Sequence, residues 1–91
     1  MNRAELIDQI RDRLGIDKRA AENAVDAVFD SIQRAVAAGE KVALTGFGVF
    51  ERVDRAARTG RNPRTGEPVQ IAASKGVKFS AGAAFKSAVN K

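Results

Sequence analysis

Between Arg55 and Gln70 the chain runs through a stretch that no hydrophobic core can accept. Ala56 and Ala57 are its only ordinary apolar residues before Val69, and Gly60, Pro63, Gly66 and Pro68 interrupt any helix. The segment must project or stay disordered. Its centre, Arg61-Asn62-Pro63-Arg64-Thr65-Gly66, has turn chemistry flanked by β-compatible residues, which predicts a two-stranded ribbon over 55–71 with Pro63 near its tip. An isolated ribbon is marginal in water, so this one is expected to move until it meets a partner surface.

The flanks carry the fold. Leu6, Ile7, Ile10 and Leu14 recur at helical spacing, with Asn2 as N-cap and Gly15 as the stop. Asp17 is placed to cap a second helix, whose broad apolar face carries Ala21, Val25, Val28, Phe29, Ile32 and Val36 and which ends at Gly39. Such a helix runs roughly 30 Å and has more apolar face than one thin core covers. From Lys41 the period becomes two: Val42 and Leu44 alternate, Gly46-Phe47-Gly48 turns the chain, and Val49 and Phe50 continue it. Val77 and Phe79 offer a last strand before Ser80, which is expected to cap a short helix with Phe85, Ala88 and Val89. The expected division is helices over 1–40, sheet over 41–54 and 72–79, arm over 55–71, and C-terminal helix over 80–91.

Without the arm, roughly seventy residues remain, a size at which one core rarely suffices without a staple. The 91 residues include no Cys and no His, which removes disulfides, thiolate and imidazole metal ligands and the usual proton-transfer base. Oligomerisation is the remaining common solution. Phe29, Phe47, Phe50 and Phe79 are the large side chains expected between two copies. No metal and no cofactor is expected, and no enzyme chemistry assembles: pairs such as Asp8 and Asp12 read as solvated helix faces.

Charge is divided along the chain. Residues 1–40 carry a net −2 and the rest a net +7, within an overall +5, which directs attention to polyanionic partners of the second half. Arg52, Arg55, Arg58, Arg61 and Arg64 place a guanidinium at every third position. On an extended ribbon that spacing alternates faces and makes both sides basic, a form suited to insertion between two phosphate walls; the plain alternative is a solvated loop that serves solubility. Pro63 reads two ways, as a turn former or as a rigid wedge for a base step, and the residues leave both open. Gly46-Phe47-Gly48 is not a dinucleotide-binding loop, because Glu51 stands where a third Gly is needed.

These residues together resemble the bacterial histone-like DNA-binding family of HU and integration host factor over essentially the whole length. The resemblance rests on Met1-Asn2-Arg3-Ala4-Glu5-Leu6-Ile7, on Gly46-Phe47-Gly48-Val49-Phe50 and above all on Arg55 through Gly66. It implies an α+β fold: two N-terminal helices, a small antiparallel sheet with an extended β-ribbon arm and a short C-terminal helix, in an intertwined homodimer. It implies arm contacts with DNA through Arg55, Arg58, Arg61 and Asn62, a wedge at Pro63, and body contacts with phosphate through Arg3, Lys75 and Lys86. The family commonly has Lys at the positions of Ser80 and Ala83, so the body under the duplex is expected to be less positive here, with Lys78 and Arg64 compensating in part.

The expected activity is non-enzymatic binding and bending of double-stranded DNA with low sequence specificity, in a cytoplasmic, nucleoid-associated protein. Homodimers, or heterodimers with a paralogue, are the expected assemblies. The rival readings are a sequence-selective bending subunit resembling integration host factor and a protein-binding scaffold. A membrane-surface role is disfavoured, since no long basic amphipathic helix is present.

Overall fold

The computed structural model describes all 91 residues. They divide into two compact units, Met1–Arg34 and Ala35–Lys91.

In the first unit α1 spans Arg3–Leu14 and most of α2 (Lys18–Ala37) follows. Asn2 Oδ1 accepts the Glu5 N–H at 2.8 Å, and Asp17 Oδ1 accepts the Ala20 N–H at 2.8 Å. Each helix thus starts on a side chain that satisfies an otherwise unpaired donor. Gly15, at φ 64°, ends α1 in the left-handed conformation and donates its N–H to the Arg11 carbonyl. The apolar stripes meet at Ile7, Ala21 and Val25, all buried, with Leu6, Ile10 and Ile16 packed around them. That core is small. Val28 and Phe29, expected on the same broad face of α2, are exposed.

The second unit opens with the end of α2. Gly39 (φ 89°) donates to the Val36 carbonyl at 3.0 Å and Glu40 to the Ala35 carbonyl at 2.9 Å, so the helix finishes in paired reverse bonds around a left-handed glycine. Strands β1 (Val42–Leu44), β2 (Gly48–Arg55) and β5 (Ser74–Ala81) form an antiparallel sheet in the order β1-β2-β5, while β3 (Arg58–Arg61) and β4 (Pro68–Ile71) form a separate two-stranded ribbon. Helix α3 (Ala83–Val89) completes the chain.

The last strand runs further than its sequence suggests. Ser80 does not cap α3: it lies in β5 opposite Val49, and Gly82 holds the cap position with no side-chain bond. The register explains this, because Gly48 pairs with Ala81 and the Phe47 carbonyl accepts the Gly82 N–H at 2.8 Å, which holds the chain in the sheet for two more residues. The sheet accordingly reaches Arg55 and Ala81, and the intervening ribbon begins at Arg58.

One face of the sheet carries Val42, Leu44, Phe50, Val77 and Phe79, which the alternation along each paired strand brings together. Phe50 and Phe79 are cross-strand partners with ring centroids 4.7 Å apart. Phe47 lies 5.5 Å from Phe79, and Phe85 of α3 lies 5.3 Å from Phe47. Gly48 allows this packing. A Cβ there would stand 2.6 Å from the Phe79 ring and 2.6 Å from the Ser80 carbonyl oxygen, a backbone atom that cannot swing aside. Gly48→Ala is therefore expected to lower stability by about 1–3 kcal/mol, the usual cost of overpacking. A thermal melt reads it, and an unchanged midpoint would show that the approach of β5 is looser than described.

The aromatic cluster remains open on one side: Phe47 is 45% exposed and Phe79 41%, and no large side chain anywhere in the chain is fully buried. No helix is long and apolar enough to cross a membrane.

Candidate nucleic-acid interface

The ribbon is built by register. Arg58 pairs with Ile71, Thr59 with Gln70, Gly60 with Val69 and Arg61 with Pro68. One face therefore carries Arg58, Gly60, Val69 and Ile71, and the other Thr59, Arg61, Pro68 and Gln70. Arg58 and Arg61 stand on opposite faces, as a three-residue spacing on a strand requires. On the first face Ile71 leans across the gap at Gly60, where a Cβ would come within 2.8 Å of its Cδ1. On the second, the Gln70 amide donates to Thr59 Oγ1 at 3.4 Å. The ribbon thus has an apolar side and a polar side, each with one arginine.

Beyond Arg61 and Pro68 the tip closes with bonds of its own. The Asn62 N–H donates to the Glu67 carbonyl at 2.9 Å, and the Gly66 N–H to the Asn62 carbonyl at 2.7 Å. Gly66 takes φ 74°, a conformation that glycine reaches without a Cβ penalty. Asn62 Oδ1 accepts the Arg64 N–H at 2.9 Å, and Thr65 Oγ1 accepts the Glu67 N–H at 3.3 Å. Pro63 sits inside this loop, exposed, with no N–H to leave unsatisfied.

At the base of the ribbon, Arg55, Ala56, Arg58, Ile71, Ala72 and Ser74 line a cleft of about 420 Å³. Arg55 is the last residue of the three-stranded sheet, opposite Ser74, and its guanidinium lies close beside Gly76. Across residues 55–71 four arginines face a single carboxylate, Glu67. In water such a strip attracts polyanions over roughly a Debye length, about 8–10 Å at physiological salt.

The other expected contacts are distributed differently. Arg52 belongs to the body and not to the arm: its Nη1 donates to the Ala37 carbonyl at 3.3 Å and its Nε pairs with Asp54 at 3.2 Å. It thus holds a free carbonyl at the C-terminus of α2, where a cation is favoured, and the basic strip begins at Arg55. Arg3 is paired with Asp26 and lies over the Phe29 ring at 5.4 Å; both groups are about half exposed, so the ion pair is worth under about 1 kcal/mol and does not bar exchange for a phosphate.

Lys75 and Lys78 lie on opposite faces of β5, opposite Asp54 and Glu51 respectively. Only Lys78 shares its face with Arg55, and Ser80 stands on that same face. Lys86 lies in the last turn of α3. Arg64 is on the tip loop, exposed, its backbone N–H held by Asn62.

Among the apolar residues, Phe47, Phe50 and Phe79 come together, and Phe29 lies in the other unit. Phe85 is the member that the sequence reading did not assign. Its helical spacing placed it on an apolar face, but only the turn at Gly82 brings that face to Phe47 and Phe79. No cluster of His, Cys, Asp and Glu is arranged to hold a metal ion.

The profile of the family described as "Bacterial DNA-binding protein" matches residues 1–90. DNA-binding protein HU-beta of Pseudomonas aeruginosa is 53% identical over 90 residues, covering 99% of this chain and 100% of that protein. DNA-binding protein HU of Geobacillus stearothermophilus is 54% identical over 89 residues, covering 98% of this chain and 99% of that protein. Among solved structures, Anabaena HU in a cocrystal with DNA superposes with a TM-score of 0.87 at 42% identity, covering 98% of this chain and 97% of that one. HU from Thermotoga maritima superposes at 0.67 and 31% identity, covering 98% of each chain. The family profile, the sequence from end to end and the superposed fold thus agree, and the chain belongs to the family of bacterial HU-type DNA-binding proteins.

Proposed function

We propose that this protein binds duplex DNA as a homodimer, with little sequence specificity, and bends it. Two ribbon arms follow the minor groove, and Pro63 of each enters a base step. The observation that carries this reading is the ribbon itself: arginines on both faces, one carboxylate in seventeen residues, and a closed loop that presents a proline at its end. The resemblance to an HU solved with DNA supports the same reading. In this account the protein is architectural rather than enzymatic and acts on the nucleoid in the cytoplasm. The open phenylalanine cluster supports a second copy as partner, and a paralogous chain with a similar face would serve equally.

The mechanism separates affinity from deformation. Arg55, Arg58, Arg61 and Arg64 displace condensed counterions, which provides affinity for any sequence. The proline ring replaces a stacking contact and stabilises a bent duplex that touches more protein. Preference then follows ease of bending, so a nicked duplex binds better than an intact one.

Pro63→Ala is the direct test. Binding is expected to stay within about threefold, since the phosphate contacts that dominate affinity are untouched. Fluorescence transfer across a short duplex should report a smaller bend. A bend equal to that of the parent protein would leave Pro63 as a turn former only.

A further inference from the structure

Arg61, Asn62 and Thr65 all turn a side-chain hydrogen bond back onto the backbone of the arm loop, and the bond from Asn62 is the one that spans Pro63. We infer that Asn62 is a positioning residue, whose Oδ1 holds the peptide after Pro63 so that the ring is presented as a preformed wedge. The inference rests on the reading of Pro63 given above and assigns to Asn62 a role other than contact with DNA.

The geometry at Pro63 makes the case. The pyrrolidine ring fixes its own φ. Its ψ is set by the peptide that joins it to Arg64, and the N–H of that peptide is held by Asn62 Oδ1 at 2.9 Å. Both backbone torsions of the proline are therefore restrained before DNA arrives. The carboxamide has one acceptor end and one donor end, and because Arg64 supplies an N–H, the oxygen must face the loop. The Asn62 backbone is taken up as well, its N–H by Glu67 and its carbonyl by Gly66. An exposed ribbon end without these bonds samples many conformations, and ordering it on the duplex subtracts from binding. The loop at Asn62 has removed that cost in advance.

Two substitutions separate this role from recognition. Asn62→Ala removes both ends of the carboxamide, whereas Asn62→Ser restores a short acceptor of the kind that makes the same turn, without the amide donor. In the free protein, the Arg64 amide should exchange with solvent about fivefold faster in Asn62→Ala, the worth of one neutral hydrogen bond, and return most of the way in Asn62→Ser. The preference for nicked over intact duplex should fall and recover in parallel, by fluorescence transfer and by titration.

An unchanged Arg64 amide in Asn62→Ala overturns the inference. So does a Ser variant that bends DNA as poorly as the Ala variant while its Arg64 amide is restored, since the amide donor would then be acting on DNA. Failure of the parent protein to bend DNA at all would instead remove the role given to Pro63, and the Arg64 exchange rates would still decide what Asn62 does to the loop.

Discussion

Replacing Arg55, Arg58 and Arg61 together by Gln is expected to weaken binding to a short duplex by at least about a hundredfold at 0.1 M salt and to flatten its salt dependence. Each phosphate contact contributes about 0.9 to the slope of log affinity against log salt, so three lost contacts on each of two arms lower the slope by about 5. Gln is shorter than Arg but keeps an unbranched polar side chain while removing the charge, and none of the three arginines is buried, so the fold should tolerate the change. Arg52→Gln is the internal contrast. Its guanidinium is engaged with the Ala37 carbonyl and Asp54, so the slope should change by less than about 1. The loss should appear instead as a drop of a few degrees in melting temperature, in keeping with about 1 kcal/mol for a charge-assisted bond at a helix end. Equal slopes for the parent and the triple variant would detach the arm from DNA altogether.

The second large effect concerns the aromatic cluster. Phe79 lies against Phe47, Phe50 and Phe85, and Phe79→Ala is expected to cost about 3–5 kcal/mol. In a chain of 9.7 kDa whose buried apolar residues are only Ile7, Ala21, Val25 and Val36, that is most of the available stability. Sedimentation should then report a dimer for the parent and a monomer for the variant at about 10 μM, with loss of a cooperative melt. The parent supplies its own check, because a folded dimer that dissociates on unfolding melts at a temperature that rises with concentration. A melting temperature constant over a hundredfold dilution would mean that the open face of the cluster has no second copy against it.

The parts of this fold that sequence reveals are those fixed by local chemistry. Asn2, Gly15 and Asp17 cap helices because their side chains or backbone freedom act within three or four residues. The arm is legible for the opposite reason: too few apolar residues separate too many glycines and prolines for any core to accept it. Sequence says less where a residue's surroundings are set at a distance. Ser80 has the composition of a helix cap, but pairing with Val49 keeps it in a strand. Arg52 continues an arithmetic series of arginines, yet its position beside the end of α2, fifteen residues earlier, decides its partner. Phe85 belongs to the cluster only because the Gly82 turn brings it back over the sheet.

Between the three-stranded sheet and the ribbon lie Ala56 and Ala57 on one strand and Ala72 and Ala73 on the other, outside both paired segments. Four methyl groups and no cross-strand bond make a wrist. Tilting there ruptures no pair of the palm and none of the four that hold the finger together, so the ribbon can change direction while keeping its register.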